Sequence, residues 1–130
     1  MKNKTSLNWM LLLNFLVIIF HLGIITKLIP YEIAWGGRLK NDRDMYVFES
    51  VSIGIILILI FILLLKGKYL RLELNERSLN FILWIYFVIF VLNTLGNLLA
   101  KTNFEKLFSI ITLISAILFW KIIKTGKAVQ

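Results

Sequence analysis

Ser78–Ala100 reads SLNFILWIYFVIFVLNTLGNLLA, without one Asp, Glu, Lys or Arg. A helix rises ~1.5 Å per residue, so about 20 apolar residues cross a hydrocarbon core ~30 Å thick. This segment is long enough, and its Leu, Ile, Phe and Val form a block instead of one stripe. Working outward, the same pattern recurs. Thr5–Ile29 is uncharged except for Lys27, and Pro30 ends it. Met45–Leu65 is interrupted only by Glu49, with Asp42 and Asp44 placed to meet the positive end of a helix dipole. Leu107–Trp120 is uncharged but short; it spans if Lys106 and Lys121 extend their ammonium groups to the two interfaces.

The expected fold is therefore all-α, an integral membrane four-helix bundle. It forms a single transmembrane domain over residues 1–130, with helices at about 7–29, 45–65, 78–100 and 104–123. Composition agrees: 59% of the 130 residues are hydrophobic and 17% charged, against roughly a quarter charged in soluble domains. The Met1-Lys2-Asn3-Lys4 start resembles a signal peptide. The apolar stretch behind it is too long for one and lacks a small-x-small cleavage site, so a retained signal-anchor helix is expected.

The net charge is +8, but the basic residues sit at the ends of apolar blocks and form no continuous patch. That distribution fits anionic lipid headgroups and argues against nucleic acid as a partner. Lys2, Lys4, Lys66, Lys68, Arg71, Arg77, Lys121, Lys124 and Lys127 fall on one side, nine residues. Lys27, Arg38, Lys40, Arg43, Lys101 and Lys106 fall on the other, six residues. The excess places both termini in the cytoplasm, in a multi-pass protein of the inner (cytoplasmic) membrane.

Polar groups at membrane depth are costly and usually face the bundle interior. Threading the helices up and down puts His21 ~12 Å, Asn93 ~10 Å and Glu49 ~6 Å below the outer helix ends. Ser109 and Thr112 fall in the same band. Asn93 and Asn97, four apart, share a face that Gly96 and Ala100 make narrow; Ser109 and Thr112 share another. Asn14 and His21, seven apart, are aligned on the first helix. The plainer alternative is that such groups hold helices together, at ~0.6 kcal/mol per contact on average.

The first loop, Pro30-Tyr31-Glu32-Ile33-Ala34-Trp35-Gly36-Gly37-Arg38-Leu39, is the most distinctive segment. Trp35 and Tyr31 suit the membrane interface, and Gly36-Gly37 allows a tight return turn. Arg38 stands near Glu32, Asp42, Asp44 and Glu49. Two readings remain open: a lid held over the bundle mouth by Arg38 and Glu49, or an interfacial turn with solvated ion pairs.

Catalytic signatures are missing. Cysteine is absent and histidine occurs once, which removes zinc-type ligand sets. There is no G-x-S-x-G, H-E-x-x-H or phosphate loop, so no catalytic residues, metal or cofactor are expected. Proton transfer between Glu49, His21 and a bound apolar molecule is the one chemistry available, and an enzyme ranks last among the readings.

Phe48-Glu49 through Leu65-Lys66-Gly67 resembles the EXPERA superfamily, the group of the sigma-2 receptor and emopamil-binding protein. There an acid near a helix start is followed by an apolar stretch and a similar exit. His21, the apolar run after it and Pro30 resemble that family's first helix. Leu22–Ile29 lacks the acid found there, and the first loop is shorter. The resemblance implies a four-span fold with an intramembrane pocket for sterol-like or cationic amphiphilic ligands.

From the residues, the expected function is binding of a lipidic or amphiphilic small molecule in an outward-facing pocket. Its candidate ligand-binding residues are His21, Glu49, Asn93, Asn97, Trp35 and Arg38. The alternative is a structural or accessory subunit, with the polar stripes packed on a membrane partner or in a homo-oligomer.

Overall fold

A computed structural model describes residues 2–33 and 39–129, with the side chains of 4–33 and 39–124. Four long helices and one short 3-10 turn make up the regular structure there: α1 (Lys2–Ile25), the turn at Tyr31–Ile33, α2 (Asp42–Lys66), α3 (Glu76–Leu98) and α4 (Asn103–Val129). All four helices are long and apolar enough to cross a membrane, and they pack as a bundle. The protein is thus an all-α, multi-pass membrane bundle. The fourth helix is no exception: its spanning stretch, Asn103–Lys124, runs past the short uncharged core of its sequence at both ends.

Local chemistry sets the ends. Asn41 accepts a hydrogen bond from the Asp44 N–H at the start of α2 (2.8 Å), and Asn75 accepts one from the Arg77 N–H at the start of α3 (3.0 Å). Asparagine oxygens thereby satisfy N–H groups that have no partner within their own helix. Thr102 and Glu105 form a capping pair at the head of α4: the Thr102 hydroxyl accepts from the Glu105 N–H and donates to its carboxylate at 2.8 Å. Asp42, expected to serve the helix dipole, also bonds to Lys27 across the first connection. The hydrogen bond and charge of Asp42 raise the Lys27 pKa above the ordinary lysine range.

α1 stops four residues before the expected Ile29. Lys27 turns left-handed (φ 64°), and the Ile29 N–H reaches back to the Gly23 carbonyl at 3.0 Å. Gly23 leaves room for the returning Ile29 side chain, whose Cδ1 would lie 2.7 Å from a Cβ there. α2 ends in the same way at Lys68 (φ 59°), with the Tyr69 N–H bonded to the Leu64 carbonyl. In both places an αL residue closes the helix and caps its last carbonyls.

α3 packs most extensively on α4, α1 packs on both α2 and α4, and α2 meets α3 less closely. The half of the bundle near the termini holds the main apolar core, including Leu7, Met10, Leu59, Leu63, Leu83 and Phe119. At the opposite end, called here the His21 end, a smaller cluster of Ile24, Leu39 and Met45 closes α1 against α2. Near the termini the α2–α3 pair is fastened by Lys66. Its ammonium donates to both Glu76 carboxylate oxygens (2.9 and 2.8 Å) and to the Asn80 side-chain oxygen (2.7 Å). The Lys66 side chain is only 4% exposed, and these three acceptors match the three donors of an ammonium. Farther along, the Tyr86 hydroxyl donates to the Ile55 carbonyl at 2.8 Å.

Lys40 and Lys124 lie at opposite ends of this four-span bundle. Because the chain has no native cysteine, single cysteines at these positions should react with an impermeant maleimide from opposite sides of the membrane. Reaction of both from one side would contradict the four-span arrangement.

Candidate functional site

Two of the candidate residues come together. Nδ1 of His21 is hydrogen-bonded to Oε2 of Glu49, joining α1 to α2. Glu49 is fully buried, while His21 retains 14% side-chain exposure. An ionised carboxylate only accepts hydrogen bonds, so in that state Nδ1 carries the proton and donates it. His21 sits four residues from the end of α1 and Glu49 seven from the start of α2, ~6 and ~10 Å along their helices. Both therefore lie within about 10 Å of the helix ends on this side of the bundle.

Aromatic rings continue from this pair toward α4. The Phe20 ring stands edge-on to His21, with centroids 5.7 Å apart. It also stacks on Phe104 (5.5 Å) and leans on Phe108 (5.3 Å). Phe20 forms one wall of an apolar groove of about 180 Å3 between α1 and α4, whose other walls are Leu13, Leu16, Val17, Phe108 and Ile111. One side chain thus touches both the polar pair and the groove.

The hydroxyl stripe of α4 faces inward. Ser109, Thr112 and Ser115 are all buried, as is Glu105 at the head of the same face. Its partner on α3 is Thr94: the two threonine Oγ1 atoms are 2.9 Å apart, and Thr112 Oγ1 is 3.0 Å from the Ser109 carbonyl. Ser115 donates to the Ile111 carbonyl and Ser109 to the Lys106 carbonyl, so these hydroxyls are satisfied within the protein. Asn14 is buried too, but it bonds to the Met10 carbonyl of its own helix.

Asn93 and Asn97 do not join His21 and Glu49. Asn93 is exposed and Asn97 partly so, and neither amide makes a hydrogen bond among the described residues. Thr94, one position from Asn93, turns inward in its place. The spacing Leu79, Leu83, Tyr86, Phe90, Thr94 could have located it, since steps of four and three keep one face of a helix toward its neighbour. Trp35 and Arg38, with the lid expected of them, lie outside the described residues. Among the described residues no group of three metal-ligating side chains occurs. Compared with known proteins, the chain matches no family model, no curated protein and no solved structure.

If the α4 stripe packs as described, Thr112→Leu removes a buried hydroxyl bridge and overfills the α3–α4 seam. That change should destabilise the protein in detergent by about 1–3 kcal/mol, whereas the volume-conserving Leu118→Ile should cost clearly less. Thermal melting of the two variants checks the order; equal melting would remove the stripe from the interior.

Proposed function

We propose that this protein binds a lipidic or amphiphilic small molecule at the His21 end of the bundle. The observation that carries this reading is the His21–Glu49 pair, an ionisable couple set inside two membrane spans. Such groups are expensive in a bilayer, and their retention is by default a mark of function. The α1–α4 groove supplies the second half of an amphiphile site. Its walls are apolar, it lies within the spans, and Phe20 connects it to His21. An aliphatic chain would lie along Leu13, Leu16 and Val17, with its polar end near the imidazole, the more accessible member of the pair. This is also the ligand class implied by the EXPERA-like features of α2. The proposed location is a bacterial cytoplasmic membrane with both termini cytoplasmic, on the strength of the nine-to-six basic asymmetry.

The second reading, a structural or accessory subunit, is favoured by one specific observation. The buried hydroxyls of α4 are satisfied inside the protein and offer a ligand nothing.

Photolabelling with a diazirine-bearing alkylamine in liposomes separates the two. Labelling of α1 and α4 should saturate, fall at least tenfold in Glu49→Gln, weaken only partly in His21→Ala, and be blocked by Val17→Trp, which fills the groove. Labelling that does not saturate, or that ignores both Glu49→Gln and Val17→Trp, would leave the subunit reading.

A further inference from the structure

The outward face of α3 is the part of the molecule that its own packing does not explain. α3 has 23 residues, ~35 Å of helix, so it fills a ~30 Å hydrocarbon core almost end to end. Asn93 lies five residues before its last residue, Leu98, ~8 Å along the axis and inside the apolar layer. Its amide is exposed and has no hydrogen-bond partner among the described residues. Its neighbours Leu92 and Leu95 are 61% and 53% exposed, so this flank points to lipid. Lipid tails offer neither donor nor acceptor, and asparagine lacks the long stem with which lysine reaches the headgroups.

Gly96 gives an independent sign on the same flank. Glycine inside a helix costs roughly 0.5–1 kcal/mol relative to alanine, so it usually has a packing reason. Here a Cβ at Gly96 would meet nothing within 4 Å. Among the described residues, no atom needs the missing side chain. Ile89, Asn93 and Gly96 follow one another at steps of four and three, which puts them on one face. That face combines an unsatisfied amide with a notch for close helix approach, the two features that join helices in membranes.

We infer that the protein forms a parallel homodimer through α3, with the two Asn93 amides paired across a two-fold axis and Gly96 at the closest approach. The choice of a second copy follows from depth. In a dimer whose axis runs along the membrane normal, each residue meets its own counterpart at its own level. An amide carries both donor and acceptor, so Asn93 is complementary to itself. Any other partner would need a matching polar group at the same depth. The interface uses none of the His21–Glu49 site and stands independently of the ligand proposed there.

The test uses the full chain in phosphatidylcholine liposomes, labelled at a single cysteine replacing Lys124, with energy transfer followed against protein-to-lipid ratio. Wild type should show a dilution-dependent dimer. Asn93→Leu should weaken it roughly 3- to 30-fold, Asn93→Gln should largely retain it, and Gly96→Leu should abolish it. The helical circular dichroism spectrum should stay unchanged in each, because both sites face outward. Oxidation should cross-link Ile89→Cys to its copy and leave Val51→Cys, on exposed α2, unlinked. Absence of energy transfer at every dilution would overturn the proposal. So would cross-linking at Val51 instead of Ile89, or wild-type dimerisation in both Asn93→Leu and Gly96→Leu.

Discussion

Everything in this bundle is arranged by one constraint: the hydrocarbon layer supplies no hydrogen-bond partner. Each backbone group is satisfied by helix formation, and each buried side chain must find a partner in the protein. The response differs between the two ends. Near the termini, Lys66 is the one charge drawn into the bundle among the described residues, and Glu76 with Asn80 occupies all three of its donors. The rest of that half is an apolar core. At the His21 end polar pairs stand beside a small apolar cluster. His21 bonds Glu49, Thr94 bonds Thr112, and the serines of α4 turn back on their own carbonyls.

That asymmetry gives the two ends different work. A Leu-rich seam and a saturated lysine hold the helices together and leave nothing to recognise a ligand. The His21–Glu49 couple also ties two helices, yet it does so with groups whose charge depends on a proton. A leucine pair of similar size would hold α1 to α2 without any desolvation penalty, and buried ion pairs are often no more stabilising than such replacements. Stability alone therefore does not account for the pair. Its edge-on contact with Phe20, and through Phe20 with an apolar groove, is what ties it to ligand binding in the account proposed here.

Much of this was legible in the sequence, for a physical reason. Spans are fixed by runs of apolar residues, and the charge-free Ser78–Ala100 needs no tertiary information to be read as one. Threading the chain up and down put His21 and Glu49 in the same outer half, and helical spacing put Ser109 and Thr112 on one face. What spacing could not decide is which face looks inward. Asn93 and Asn97 share a face, but the bundle turns toward Thr94, because the Leu79, Leu83, Tyr86 and Phe90 row beside it makes the larger apolar contact. In the sequence, Lys66 reads simply as one of the basic residues at the end of an apolar block. Its burial depends on Glu76 and Asn80 across a connection whose closure no local pattern describes. The sequence carries α1 on to Ile29 because its stop signal is a lysine in the left-handed conformation, where a glycine would announce the end.

The central claim is that His21 and Glu49 act as one buried unit, and a double-mutant cycle in mixed detergent tests it most directly. Unfolding free energies are compared for wild type, His21→Leu, Glu49→Gln and the double substitution. His21→Leu takes the imidazole away from the Glu49 carboxylate, and Glu49→Gln takes the charge away from the partner of the imidazole, so the double variant should lose less than the two single losses together, by at least about 1 kcal/mol. Additivity within about 0.5 kcal/mol would mean that the two side chains do not depend on each other, and the site built on them would fall.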